Sequence, residues 1–165
     1  MDKINFTFQE LAEKELPRLL TALNASSSYA LSDLLGEGTG IASALKTIGK
    51  HKNFEELYVF IDESLPPEQQ VIYTGISRFV IQRLYQHIKV RNHNAASFAY
   101  KIAHKNTAHI GTRNKMPPEH IQTEQTYLKK LKVKFIKIEN PLERYILEAY
   151  VAMHFNTAYN TFETS

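Results

Sequence analysis

The chain has 165 residues, of which 43% are hydrophobic, 22% charged and 11% aromatic, and its formal net charge is +3. A chain of this length can fold without disulfides or a structural metal, and the absence of cysteine excludes disulfide and thiolate–metal chemistry. No apolar run approaches the about 20 residues of a membrane span, and the first residues carry acids where a secretory signal is basic and then apolar. We therefore expect a cytoplasmic protein that does not enter a membrane.

The charges are distributed unevenly along the chain. Residues 1–77 carry 6 basic and 11 acidic side chains, a balance of −5, and residues 137–165 carry 2 basic and 4 acidic, a balance of −2. Residues 78–136 carry 12 basic side chains against only Glu119 and Glu124, a balance of +10. Such a segment attracts a phosphate backbone, because each neutralised phosphate releases condensed counterions. A solvated basic surface without a partner has the same balance, so charge alone leaves nucleic-acid binding open.

The first third of the chain predicts helices without identifiable chemistry. Leucines at helical spacing over residues 8–23 predict a helix that Pro17 kinks or restarts. The glycines of GEGTG, residues 36–40, predict a turn before a short helix around residues 41–50. No buried strand precedes that run and no Gly-Lys-Ser/Thr follows it, which argues against a phosphate loop. We interpret residues 1–53 as an N-terminal helical extension.

From residue 56 the sequence predicts a β-hairpin followed by a helix. LYVFID and VIYTGI are rich in β-branched and aromatic residues, and the polar loop between them contains two prolines. Ser77 offers an N-cap to the helix of RFVIQRLYQHIKV, which carries an apolar stripe. Arg83 and His87 occupy positions i and i+4 on its other face, about 6 Å apart between Cβ atoms. They can therefore act on one ligand.

The second half of the chain predicts a third strand between less regular segments. SFAYKIAHK, residues 97–105, predicts a shorter helix, and residues 106–120 predict a basic loop. LKVKFIKIE, residues 131–139, alternates apolar residues with lysines, as does a strand with one solvated face.

A last helix is predicted to begin after this strand. Asn140 as the cap, Pro141 at the first helical position and Glu143 at the third form an N-terminal capping signature. Glu148 is the single carboxylate in the mainly apolar run YILEAYVAM, where its charge is costly unless a positive group meets it.

The order of these motifs resembles the GIY-YIG nuclease family. The family's first motif appears as Glu56-Leu57-Tyr58, and its second appears as Tyr73-Thr74-Gly75. The arginine and histidine of the next helix match Arg83 and His87. The family's metal-binding glutamate and the asparagine after it match Glu148 and Asn160. Glu143 is an alternative for the glutamate, although capping explains it. The resemblance covers residues 56–160. It implies an α+β fold with a small three-stranded antiparallel sheet flanked by helices, here as a domain of residues 54–165.

The resemblance also implies a metal-dependent endonuclease that hydrolyses phosphodiester bonds of DNA. Glu148 would hold Mg²⁺ or Mn²⁺, with water and substrate as the remaining ligands. Arg83 would bind the phosphoryl oxygens more strongly in the transition state.

The proton acceptor is expected among aromatic and imidazole groups. Tyr58 or Tyr73 would serve as the base once nearby cations favour its phenolate, and His87 could accept or relay the proton. The sequence does not decide between the two tyrosines. Asn160 would orient a neighbour or contact the substrate.

DNA is the expected partner, and six basic side chains are candidate phosphate contacts: Lys89, Arg91, Lys101, Lys105, Arg113 and Lys115. A single site cuts one strand, so cleavage of both strands would need a homodimer or two visits. A catalytically silent nucleic-acid-binding module on the same scaffold is the alternative, and a protein-interaction domain on the helices of residues 8–50 is a third possibility. The seven histidines lack an HExxH motif and regular spacing, which argues against zinc.

Overall fold

The computed structural model describes residues 6–108, 111–138 and 140–160 of an α+β protein. Its helices are α1 (Phe8–Glu10), α2 (Leu16–Ala25), α3 (Leu31–Leu35), α4 (Ile41–Thr47), α5 (Val80–Lys89), α6 (Ser97–Thr107), α7 (Pro118–Leu128) and α8 (Pro141–His154). Its strands are β1 (Tyr29–Ala30), β2 (Glu56–Ile61), β3 (Val71–Ser77) and β4 (Lys132–Ile136). None of the helices in these ranges is long and apolar enough to cross a bilayer.

Contacts between residues group the chain into two compact units. The sheet unit draws on Met1–Tyr29, Glu55–Arg78 and Lys132–Ser165, and the helical unit on Ala30–Phe54 and Phe79–Leu131. Each unit is therefore assembled from segments that are distant in the chain. The predicted boundary between residues 53 and 54 is a statement about which segments can fold on their own. That boundary stays a prediction.

The sheet has four strands in the order β1-β4-β2-β3, with β2 antiparallel to both β3 and β4. The predicted hairpin is thus confirmed, but the prediction of three strands is wrong. The additional strand, β1, has only two residues and lies in the segment that we interpreted as helical. Two residues are too few to show the alternation by which a strand is recognised in a sequence.

One face of the sheet packs against α2 and α8. Its core consists of Leu19, Leu23, Leu57, Val59, Ile136, Ile138, Leu147 and Val151. Hydrogen bonds also connect β4 to α2, since the Lys134 ammonium donates to the carbonyls of Leu23 at 3.1 Å and Asn24 at 3.3 Å. These carbonyls lie at the C-terminal end of α2, where helix oxygens lack partners and a cation is favoured. The opposite face of the sheet carries Tyr58 and Phe60, because alternate side chains of a strand point to opposite faces.

The two predicted helix starts have different outcomes. The cap of α8 is confirmed, since Asn140 Oδ1 accepts the N–H of Leu142 at 2.9 Å. The cap of α5 is wrong, because Ser77 is the last residue of β3, paired with Glu56, and the N-cap position belongs to Phe79, whose side chain makes no capping bond.

The structure adds detail at Pro17 and in the predicted loop of residues 106–120. A π-helical stretch, Leu11–Glu15, joins α1 to α2, and Pro17 is the second residue of α2. The predicted restart of the first helix at Pro17 is thus confirmed. The predicted loop of residues 106–120 ends at Pro118, where α7 begins with proline in its first turn. The sequence analysis did not predict α7.

The helical unit is built around α5, which contacts α4, α6 and α7. The predicted apolar stripe of α5 is confirmed, because Val80, Ile81, Leu84 and Ile88 are fully buried or nearly so. Helices α6 and α7 also pack against each other. This packing presents one side of α5 to the first turn of α6, and that side carries Arg83 and His87.

Candidate active site

Tyr58 and Tyr73 lie in one aromatic cluster on the sheet. Their ring centroids are 6.4 Å apart, and Phe60 lies 5.9 Å from Tyr58 and 6.0 Å from Tyr73, edge-on to both. Such tilted and edge-on arrangements are favourable for aromatic quadrupoles. The two tyrosines differ in access to solvent, since Tyr58 is 1% exposed and Tyr73 is 8% exposed.

Gly75 has a steric role within the second tyrosine motif. It is the direct cross-strand partner of Tyr58 in the β2–β3 hairpin. A Cβ at Gly75 would lie 2.5 Å from Tyr58 Oη and 2.6 Å from Cζ, which no real contact permits. The absence of a side chain therefore lets the Tyr58 ring lie across the backbone of β3, an arrangement in which an aromatic ring covers a strand glycine.

Asn160 binds the backbone of the second tyrosine motif. Its Oδ1 accepts the N–H of Thr74 at 2.9 Å, and its Nδ2 donates to the carbonyl of Thr74 at 2.8 Å. The Thr157 hydroxyl donates to the same Oδ1 at 2.9 Å. Because β3 is an edge strand, these bonds pair backbone groups that would otherwise face solvent. Asn160 thus orients the backbone at Thr74, and its role in a reaction stays a prediction.

The two candidate glutamates lie on α8. Glu148 is half-buried, next to Leu147, whose side chain belongs to the core against Leu57 and Val59. The alternative, Glu143, is 5% exposed, and its Oε1 has no hydrogen-bond partner among the described residues. Helix α8 covers the face of the sheet opposite the tyrosine rings. Leu147 and Val151 are the α8 residues that pack on that face, and a meeting of Glu148 with the tyrosines stays a prediction.

Arg83 is held by hydrogen bonds at the start of α6. Its Nη1 donates to Gln86 Oε1 and to the carbonyl of Ala95, both at 3.1 Å, and its Nη2 donates to the Ser97 hydroxyl. A guanidinium has five N–H donors. Two of them therefore have no partner within the described part of the chain, and no carboxylate there pairs with Arg83.

His87 is fully buried and accepts a backbone hydrogen bond. Its Nδ1 accepts the N–H of Phe98 at 3.3 Å, in the first turn of α6, where helix donors lack partners. Burial, with the charges of Arg83 and Lys101, holds the pKa of His87 well below its usual range, so the imidazole is neutral at neutral pH. The sequence placed His87 on the open face of α5, but the first turn of α6 covers that face. Its geometry is that of a positioning residue, and a proton relay through it stays a prediction.

The six candidate phosphate contacts divide into two groups. Exposed side chains are Arg91, Lys105 and Lys115, and half-buried ones are Lys89, Lys101 and Arg113. Lys89 donates to the carbonyls of Gly36 at 2.7 Å and Thr39 at 2.6 Å, within the glycine-rich turn after α3. The Lys89 ammonium thus stabilises that turn through two hydrogen bonds.

The donor set for a metal ion is small. The described residues contain no group of three or more histidine, aspartate or glutamate side chains that could enclose a metal. Mg²⁺ commonly keeps several waters and binds through one or two carboxylates together with substrate phosphates. A single hard oxygen ligand such as Glu148 fits that manner of binding.

The predicted residues therefore form two groups. Tyr58, Tyr73 and Gly75 meet within the sheet unit, and Asn160 joins them through Thr74. Arg83 belongs to the helical unit. Convergence of the tyrosines and the arginine on one phosphate stays a prediction.

The side chains that hold Arg83 in place were not predicted from sequence. Ser97 and Gln86 bind its guanidinium, as described above. Arg113 binds the same turn, because its Nη2 donates to the carbonyl of His93 at 2.9 Å. The Gln86 contact follows the i, i+3 spacing within α5. No spacing signals the contact to Ser97, because it depends on how α5 meets the start of α6.

Comparison of the chain with protein-family models, with curated proteins and with solved structures finds no match. The case for a function therefore depends on the residues and their geometry.

Proposed function

We propose that the protein is a divalent-metal-dependent endonuclease of the GIY-YIG type that hydrolyses phosphodiester bonds in DNA. The proposal includes the finer fold assignment, a cytoplasmic location, and homodimerisation where both strands are cut. It rests on the order of the motifs along the chain, which is hairpin, arginine helix, strand and glutamate helix.

The observation that carries the proposal is the state of Arg83. Three bonds fix its guanidinium, and among the described residues two of its donors have no partner and no carboxylate neutralises its charge. Arg83 lies one turn into the helix that follows the Tyr73-Thr74-Gly75 strand. It belongs to residues 78–136, whose net charge is +10. A guanidinium that is held in place and keeps its positive charge is suited to bind phosphoryl oxygens as their negative charge grows. It needs no rearrangement at the moment of reaction.

Tyr73 is the better candidate for the base of the two tyrosines. It is more exposed than Tyr58, whose hydroxyl lies over Gly75. A base must reach the water that it deprotonates, and a nearby cation would favour the phenolate. We therefore assign Tyr73 the proton acceptor and Tyr58 a packing role beside it. His87 positions α6, and Asn160 positions the strand through Thr74.

Glu148 would hold Mg²⁺ or Mn²⁺ through its carboxylate, with water and substrate oxygens as the other ligands. When bound, such an ion would neutralise charge on the phosphate and on the leaving oxygen.

The proposal is tested with supercoiled plasmid, purified full-length protein and Mg²⁺. We expect nicked circles to accumulate, chelator to prevent this, and Arg83→Lys and Glu148→Gln each to lower the rate about 100-fold or more, as removal of a transition-state donor does. Arg18→Gln and Glu37→Gln alter exposed residues and serve as matched controls that should retain the wild-type rate. A plasmid that stays supercoiled with either metal, or a Glu148→Gln variant that nicks normally, would refute the endonuclease.

The second candidate is a nucleic-acid-binding module that does not cut. It is favoured by one observation, namely the balance of +10 in residues 78–136, which binding of a phosphate backbone explains without any cleavage. Binding alone needs no acid at Glu148, so Glu148→Gln should then tighten DNA binding by removing a negative charge. Under the endonuclease proposal the same variant loses cleavage.

A further inference from the structure

Two guanidinium groups meet at the turn before α6. Arg83 donates to the carbonyl of Ala95 at 3.1 Å, and Arg113 donates to the carbonyl of His93 through Nε at 3.2 Å and Nη2 at 2.9 Å. These two acceptors are separated by a single residue. The turn is closed by the N–H of Ala96, which binds the carbonyl of Asn92 at 2.8 Å. Residues that are 30 positions apart in the sequence thus place their cationic ends on one short piece of backbone.

Both guanidinium groups retain donors. Arg113 uses two of its five N–H groups on His93, and Arg83 uses three on its own acceptors, so three and two donors remain. Within the described chain no carboxylate forms an ion pair with either side chain. The acids of this basic segment, Glu119 and Glu124, lie on α7, and Glu124 binds the Asn106 side chain instead.

Tyr100 fixes the plane of the second guanidinium. The Arg113 Cζ lies 4.5 Å from the centroid of the Tyr100 ring, which is within the range of a cation–π contact. Stacking holds the flat face of the guanidinium and leaves its N–H edge available. The pKa of Arg113 lies below its ordinary value because burial removes water from the charge. Tyr100 opposes this shift, and a smaller effect of the Arg83 charge adds to it. Arg113 nevertheless stays protonated at neutral pH.

Two neighbouring, partly buried cations that pair with no acid in the described part of the chain repel each other, and an anion would relieve this repulsion. A phosphodiester suits the position, since its non-bridging oxygens accept several charge-assisted hydrogen bonds from planar donors. We propose that Arg83 and Arg113 jointly bind one phosphate of the DNA, with Tyr100 holding Arg113 in place. This rests on the proposed function in that the ligand is nucleic acid, and it makes Arg113 a second substrate-binding arginine.

The test measures binding of a short DNA duplex to the full chain by fluorescence anisotropy, with chelator present so that no strand is cut. Affinities are taken at several salt concentrations for the wild type, Arg83→Gln, Arg113→Gln and the double variant. Each neutralised phosphate contributes about 0.9 to the slope of log affinity against log salt. We expect each single variant to bind more weakly and to lose up to about that much slope. The double variant should lose no more than about 0.9 in total, because both arginines neutralise the same phosphate.

Two results would overturn the inference. One is an Arg113→Gln variant with the affinity and slope of the wild type. The other is a double variant that loses about 1.8 in slope, since that total would mean two separate phosphates. Arg18→Gln, which removes an exposed arginine of α2, is the matched control and should behave as the wild type.

Variants of Tyr100 provide a second line of evidence that does not depend on removing a charge. Tyr100→Phe keeps the ring and should bind DNA normally, whereas Tyr100→Leu should weaken binding at least threefold. Equal affinities for these two variants would count against the site, even if Arg113→Gln proved unable to fold.

Failure of this inference can be told apart from failure of the endonuclease. If binding depends on Arg113 as described but plasmid is never nicked with Mg²⁺ or Mn²⁺, the phosphate site stands and the endonuclease fails. If plasmid is nicked while Arg113→Gln binds normally, the endonuclease stands and the shared site fails.

Discussion

The Tyr58 ring lies directly against the backbone of Gly75, its partner across the hairpin. The pair joins the two tyrosine motifs, since Gly75 belongs to the second and Tyr58 to the first. It also explains why the motif glycine is needed in the middle of a strand, where glycine is otherwise unfavourable. Its backbone does not adopt a positive φ, so the requirement is for space alone.

Gly75→Ala should destabilise the protein by about 1 to 3 kcal/mol, because the new methyl group overlaps the Tyr58 ring in a packed sheet. Urea unfolding followed by circular dichroism would measure the change. Gly40→Ala is the matched control, since a Cβ there meets nothing within 4 Å, and it should cost about 0.5 kcal/mol or less. If both variants were equally stable, the steric role of Gly75 would be wrong.

Asn160→Ala should lower stability by about 1 to 3 kcal/mol, because Thr74 loses hydrogen-bond partners for both backbone groups. Asn160→Asp should keep the acceptor for the Thr74 N–H but place a carboxylate oxygen against the Thr74 carbonyl. Hydrogen exchange distinguishes the two variants: the Thr74 amide should exchange faster in the alanine variant. Asn24→Ala, at an exposed position of α2, is the control. Unchanged exchange at Thr74 in Asn160→Ala would contradict the contact.

His87 should make the protein sensitive to acid. Its pKa in the folded state is depressed by burial, so as pH falls below about 6.5 the unfolded chain takes up a proton that the folded chain does not. Stability from this group is therefore complete above that pH and declines by up to about 1.4 kcal/mol per pH unit below it, until the folded-state pKa is reached.

The histidine effect is measured by urea unfolding of the wild type and His87→Asn from pH 8 to pH 5. His87→Asn retains a side-chain acceptor for Phe98 and should be less stable at pH 8, but its stability should depend less on pH. The exposed His104→Gln serves as the control and should keep the wild-type pH dependence. Parallel curves for wild type and His87→Asn would refute the assignment.

Lys89 should contribute to stability and not to DNA binding. Lys89→Gln removes an ammonium bound to the carbonyls of Gly36 and Thr39, which should cost about 1 to 2 kcal/mol. Its salt dependence of DNA binding should match the wild type, whereas the exposed Lys105→Gln should lose up to about 0.9 in slope. A loss of slope in Lys89→Gln would restore Lys89 as a phosphate contact.

Much of the local structure could be predicted from sequence. The hairpin of β2 and β3, the apolar stripe of α5 and the capped start of α8 all depend on patterns within about ten residues. The errors came where the local signal was weak or ambiguous. Ser77 has the chemistry of a cap, but the strand before it continues through that position.

The sequence by itself determined the order of β2, β3, α5, α6, β4 and α8, the concentration of positive charge in residues 78–136 and the set of polar and charged side chains. Only the tertiary structure decided what each of those groups touches. It buried His87 against Phe98 and joined Asn160 to Thr74 across 86 positions of chain. It also placed Arg113 beside Arg83 at one turn. The physical reason is that periodicity and capping act between neighbours in the chain, whereas burial and hydrogen-bond partners are set by residues that only folding brings near.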